Sequence, residues 1–118
     1  GDYATAMEYF RKNILYHTER NNKPQLRVAK WCVARTLRAQ NKIDEALQMQ
    51  NELREEMEAA GEAGDGYVYE ELGELNILKN DTENSKQNFK EAYKLLSQDN
   101  WLVENEKERM ARIKKLSE

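Results

Sequence analysis

Apolar residues recur along this chain at steps of three and four. Tyr3, Ala6, Met7, Phe10, Ile14 and His17 fall on one stripe, Leu26, Ala29, Val33 and Leu37 on a second, and Ile43, Ala46, Leu47, Leu53, Met57 and Ala60 on a third. Val68, Leu72 and Leu75 make a fourth, Ser85, Phe89, Ala92, Tyr93 and Leu96 a fifth, and Val103, Met110, Ile113 and Leu116 a sixth. Such spacing places each set on one face of an α-helix, whereas a strand demands alternation. The pattern predicts an all-α chain of about six helices, near residues 2–20, 24–40, 43–61, 66–79, 82–97 and 101–116.

The boundaries carry chemical signals of their own. Pro24 follows Asn22-Lys23, and proline suits a first helical turn because the N–H it lacks would be unpaired there. Asp65, Asp81 and Asn100 stand where a side chain can accept from the free N–H groups of a helix start. Gly61, Gly64 and Gly66 crowd one junction, where a left-handed residue ends a helix. No connection is long enough to separate two domains, so residues 1–118 are expected to form one.

Three turns superpose without gaps. Gly1-Asp2-Tyr3-Ala4-Thr5-Ala6, Asn41-Lys42-Ile43-Asp44-Glu45-Ala46 and Asn80-Asp81-Thr82-Glu83-Asn84-Ser85 begin 40 and then 39 residues apart, each ending on a small residue. Upstream, Val33-Ala34 aligns with Leu72-Gly73, small residues that let paired helices approach closely. This pattern resembles the tetratricopeptide repeat (TPR) family. Tyr69-Glu70-Glu71-Leu72-Gly73, then Asn80-Asp81, Phe89 and Ala92, looks like one helix–turn–helix unit, residues 66–97. Lys30-Trp31-Cys32-Val33-Ala34, then Asn41 to Ala46 and Leu53, looks like another, residues 24–61. Residues 1–20 look like the second helix of an incomplete repeat, and 101–116 like a capping helix. The period exceeds the family's usual 34 and no proline ends the second helices. In this it is similar to the extended repeats of kinesin light chains and of many bacterial regulatory proteins. The resemblance implies a right-handed α-α superhelix of stacked antiparallel helix pairs whose first helices line a concave, peptide-binding groove.

An incomplete repeat is expected to expose Tyr3, Met7 and Phe10, because a repeat buries its apolar face only against its neighbours. Either the chain belongs to a longer array or a second copy covers that face; Tyr9 and Tyr16 would add to such a self-association surface.

Composition narrows the classes further. One cysteine, Cys32, excludes an internal disulfide and any multi-cysteine metal site. No apolar run reaches the roughly 18 residues of a membrane span and no signal-peptide pattern is present, so the chain reads as soluble, cytoplasmic and without a membrane partner. The formal charge of −3 conceals a segregation. Arg20 to Ile43 holds seven bases and no acid, while Asp44 to Glu83 holds thirteen acids and two bases. The basic stretch 20–42 raises nucleic-acid contact as one reading, against which the acidic repeat that follows would repel a polyanion.

No catalytic constellation emerges. His17 aligns with Met57 and Leu96 at the repeat spacing, which marks a packing position. Cys32 has no histidine near it in sequence; Lys30 and Arg35 would lower its pKa modestly, and an inert thiol is expected. The glycines near 61–66 lack the Lys-Ser or Lys-Thr of a phosphate loop. Glu70, Glu71 and Glu74 cluster without a histidine or an EF-hand loop, as on a solvated or salt-bridged face. Neither an enzyme, a cofactor nor a metal site is expected.

The helix at 24–40 holds the binding candidate. Arg27, Trp31, Arg35, Arg38 and Lys42 form one stripe opposite the core-facing Leu26, Ala29, Val33 and Leu37. A tryptophan flanked by guanidinium groups is the mixture enriched at binding hot spots, and arginine grips carboxylates with paired hydrogen bonds. A protein or peptide ligand, acidic in character, would suit it, with Tyr67, Glu70 and Glu74 contributed by the next inner helix. The competing reading is internal: the period sets Trp31, Arg35 and Arg38 against Glu70, Glu74 and Ile77, so the charges could satisfy one another. The lysine–asparagine–arginine clamp by which some family members hold C-terminal carboxylates is not matched, since glutamates stand on the later inner helix. Trp101 is expected to seal the last repeat, with Glu104 to Lys115 as the solvated face of the cap. A purely structural or oligomerising segment without a groove ligand is the alternative function.

Overall fold

The computed structural model describes residues 2–62 and 64–118. Gly1, which opens the first of the superposed turns, lies outside the described residues. Among those described the chain is all-α, with seven helices and no strand: α1 Tyr3–Glu19, α2 Lys23–Ala39, α3 Ile43–Ala59, α4 Gly66–Leu78, α5 Thr82–Leu96, α6 Asn100–Asn105 and α7 Lys107–Leu116.

Four aspartates cap these helices. Asp2, Asp65 and Asp81 accept from the backbone N–H of Thr5 at 3.1 Å, Tyr67 at 2.8 Å and Asn84 at 3.2 Å. The fourth corrects the expectation for Asn100, which is the first residue of α6. Its cap is Asp99, whose carboxylate accepts from both Trp101 N (2.9 Å) and Leu102 N (3.3 Å). A charged acceptor takes the position because it satisfies two free donors and favours the positive end of the helix dipole.

The helices end by a device that the sequence announced at Gly61 but not at the asparagine turns. Asn21, Asn41 and Asn80 have φ of 53°, 63° and 60°, and Gly61 has φ of 71°. In each turn the next residue's N–H reaches back five residues to a carbonyl: Asn22 to His17, Lys42 to Leu37, Glu62 to Met57, and Asp81 to Asn76, all at 2.8–3.0 Å. This is the Schellman closure, in which one left-handed residue reverses the chain and satisfies carbonyls that the helix end leaves open. Asparagine tolerates that conformation better than other side chains.

The chain divides into two compact units, Gly1–Leu53 and Arg54–Glu118. In the first, α1 packs on α2. Ala29, Val33 and Leu37 are buried along α2, as the stripe predicts, while Leu26 is half-buried and Ala34 is buried beside them; Ala46, Gln50 and Leu53 are buried along α3. The expected exposure of α1 holds only in part. Tyr3 is exposed, but Met7 is only 6% exposed because the stripe turns it inward, and Phe10 is half-buried.

In the second unit α4 packs on α5, and α5 on α7. Phe89, Ala92, Leu96, Leu102, Met110 and Ile113 form one buried cluster, with Tyr67, Tyr69, Tyr93 and Leu116 against it. The close approach of α4 and α5 depends on Gly73. A Cβ there would lie 2.7 Å from the Phe89 ring, which is itself fully buried. Ser85 Oγ spans the same contact by donating to Gly73 O at 3.1 Å.

The expected single cap helix is broken into α6 and α7 at Glu106, where φ is −123° and ψ 54°. Leu102, Glu106, Arg109 and Ile113 would share one stripe of an unbroken helix, carrying a glutamate toward the core side. The bend resolves the conflict, since Leu102 and Ile113 are buried while Glu106 turns to Arg109. The seal expected of Trp101 also falls to Leu102. Trp101 is 62% exposed and Leu102 only 2%, because the Asp99 cap sets the helix phase one residue away from the tryptophan.

Candidate peptide-binding site

Helix α2 has two faces of opposite character. Its buried stripe faces the first unit's interior, and Arg27, Trp31, Arg35 and Arg38 fall on the other side at steps of four, four and three. Arg27, Trp31 and Arg38 are half-buried and Arg35 is exposed. The Arg35 guanidinium carbon stands 5.3 Å from the centre of the Trp31 ring system. This is a cation–π contact, and the one-turn spacing of the pair makes it possible. All four residues take part in polar, ionic or ring contacts within the protein.

Tyr67, Glu70 and Glu74 belong to the second unit and are gathered by a partner that sequence reading missed. Arg109 of α7 grips Glu70 with two hydrogen bonds, Nε to Oε2 at 2.9 Å and Nη2 to Oε1, and its Nη1 reaches Glu106 at 3.3 Å. The same guanidinium carbon lies 5.2 Å from the Tyr67 ring centre. One turn further along, Arg112 holds both oxygens of Glu74. The partners of these glutamates are thus Arg109 and Arg112, and the run Glu104 to Lys115 is not wholly a solvated face. A signal for this existed: the 39-residue step from Trp31 to Glu70, taken once more, lands on Arg109.

The electrostatics follow from the geometry. Hydrogen bonding to Glu70 holds the Arg109 guanidinium protonated even more firmly than usual, against the opposing effect of burial. Burial raises the Tyr67 phenol, with the Arg109 charge opposing it. Arg109→Ala is expected to cost about 1–2 kcal/mol, between the 0–1 of an exposed pair and the 3–5 of a broken buried one. Arg109→Lys should recover only part of that, since an ammonium cannot bridge both carboxylate oxygens. Urea-unfolding midpoints of the two variants provide the measurement. Equal losses would show that the bidentate geometry is not what stabilises the cap.

A second concavity lies between α1 and α2. Tyr9, Phe10, Asn13, His17, Pro24, Gln25, Val28, Ala29 and Cys32 line a groove of about 400 Å³. His17 is half-buried, with Nδ1 3.3 Å from Asn22 Nδ2 and its ring edge-to-face with Tyr16. This agrees with a packing position. The expected lowering of the Cys32 pKa is overturned. Burial raises the thiol and the nearby Arg35 charge only opposes that rise, which keeps it in the unreactive thiol form at neutral pH.

Among the described residues no three His, Cys, Asp or Glu side chains gather as a metal ion would require. Nor, among the described residues, is any helix long and apolar enough to cross a membrane. Comparison with protein-family models, with curated proteins and with solved structures finds no match to this chain.

Proposed function

We propose that this chain is a TPR-like protein- or peptide-binding module that takes acidic ligands along the Arg27–Trp31–Arg35–Arg38 face of α2. The observation that supports the reading most is the half-buried Trp31 with the Arg35 guanidinium against its ring, set opposite a buried apolar stripe on the same helix. An aromatic anchor that is already ordered loses little side-chain freedom on binding, and the flanking guanidinium groups suit carboxylates. Tyr67, Glu70 and Glu74 are better read as closing the second unit, because their polar groups are engaged by Arg109 and Arg112.

The test is calorimetric titration of the whole chain with acidic peptides drawn from an array. Trp31→Ala combined with Arg35→Glu should weaken binding at least about thirtyfold, the equivalent of about 2 kcal/mol for a hot-spot residue. Binding that survives this double change would remove the site. A labelled RNA oligonucleotide run in parallel separates the competing reading, since phosphate contacts would weaken steeply as salt rises.

A further inference from the structure

A third concavity, of about 360 Å³, is enclosed by α1, α2 and α3, and all of its lining belongs to the first unit. Buried Met7, Val33 and Leu37 make its floor, and half-buried Ile14 and Met49 line it from α1 and α3. Exposed Arg11 stands on the α1 lip. On the α3 lip Glu45, Gln48 and Glu52, also exposed, follow at steps of three and four. A seam between helices does not need such apolar residues at its surface. By the superposed turns, Ile14 and Met49 correspond to Arg54 and Asn88 of the following repeat. There both side chains are polar and engaged, Arg54 with Glu58 at 3.0 Å and Asn88 with Asn76 at 2.7 Å. The α1–α3 groove instead keeps an isoleucine and a methionine half-exposed, and methionine adapts its shape to the side chain that it meets.

The charges that line the groove select its occupant. Among the described residues the Arg11 and Glu45 side chains have no ion pair or hydrogen bond, and Glu52 accepts from its neighbour Gln48 at 3.2 Å. Glu45 and Glu52 are seven residues apart, about 10 Å along α3 at 1.5 Å per residue. A helix lying beside α3 repeats its side chains at the same interval, and its ridge fits a groove between two others. Bases one heptad apart on one flank would meet the two glutamates, and an acid on the other flank would meet Arg11. Nucleic acid or an anionic membrane would set phosphates against two carboxylates. A second copy about a twofold axis would place groove against groove and fill neither. We propose that the α1–α3 groove docks an amphipathic helix of a partner protein, basic on the flank toward α3 and acidic on the flank toward α1. The floor uses the buried stripe of α2, on the side away from Arg27, Trp31, Arg35 and Arg38, so this contact is independent of the one proposed above.

The probe is a fluorescein-labelled designed helix of about three heptads, with leucine along its seam, lysine on one flank and glutamate on the other. It is titrated into the whole chain and followed by anisotropy and by amide chemical shifts. The expected result is saturable binding with shifts on α1 and α3. Glu45→Gln with Glu52→Gln should weaken it about tenfold, at exposed positions where circular dichroism and melting stay unaltered. The reversed pair, Glu45→Lys with Glu52→Lys, should reject this probe and accept one carrying glutamate on both flanks, which the parent chain binds more weakly. Any of four results would overturn the proposal. The first is no saturation at millimolar probe. The second is shifts confined to the Arg27–Arg38 face of α2, which would return the probe to the site proposed above. The third is equal binding by a probe with a central proline, since a broken helix would then serve as well. The fourth is a dimer in sedimentation that Arg11→Glu dissolves, which would assign the groove to a second copy.

Discussion

Phe89→Ala is expected to lower the unfolding free energy by about 3–5 kcal/mol, the usual cost of emptying a fully buried aromatic site. Set against the 5–15 kcal/mol that stabilises a typical domain, this would leave much of the chain near its unfolding threshold. The ring is fully buried and occupies the space that Gly73 leaves open. Gly73→Ala alone should also destabilise, by about 1–3 kcal/mol through overpacking, even though alanine is the better helix former by about 1 kcal/mol. With the ring removed, the same methyl group has room. The double variant should therefore be more stable than Phe89→Ala by itself. Urea unfolding of the four proteins in the cycle gives the coupling directly. Losses that simply add would show that the 2.7 Å approach is not the limiting contact.

Gln50→Leu is expected to act in the other direction, stabilising the protein by about 1–3 kcal/mol. Gln50 is 0% exposed, and neither its amide nitrogen nor its oxygen has a hydrogen-bond partner among the described residues. An amide buried in that state carries the cost of leaving water with nothing to offset it. Leucine has similar bulk and no polar atom. A melting temperature that fails to rise would show that the amide is satisfied by ordered water. The period explains why a glutamine stands here at all. Gln50 occupies the place of Phe89, and Ala34 that of Gly73. Where the first helix of the pair keeps its Cβ the second gives up its ring, and where the first has glycine the ring returns.

The helices were legible because their stripes are long and regular, and Pro24, Asp65 and Asp81 mark real starts. Left-handed Asn21, Asn41 and Asn80 were not recognised, because asparagine is common in turns of every kind and its backbone conformation leaves no periodic trace. The bend at Glu106 arises from a conflict between burial and charge that local propensity does not register. The α2 stripe was readable from spacing alone. What held Glu70 and Glu74 was not, since pairing them with the preceding inner helix and with the following one are equally consistent with a period. Only the packed position of α7 on α5 selects Arg109 and Arg112. Cys32 shows the same limit: neighbouring cations are visible in the sequence, while the desolvation that outweighs them belongs to the fold.

The short reversals at Asn21, Asn41, Gly61 and Asn80 also bear on how the chain reaches this structure. Helices that pack are neighbours along the chain or nearly so: α1 with α2, α4 with α5, α5 with α7. Little entropy is spent in closing loops before contacts begin to form. Low contact order of this kind belongs to the faster end of folding rates, and assembly can start at any hairpin and spread to the next. A lesion such as the loss of Phe89 should accordingly be felt first as local fraying of α4 and α5, visible in amide exchange, before the rest of the chain lets go.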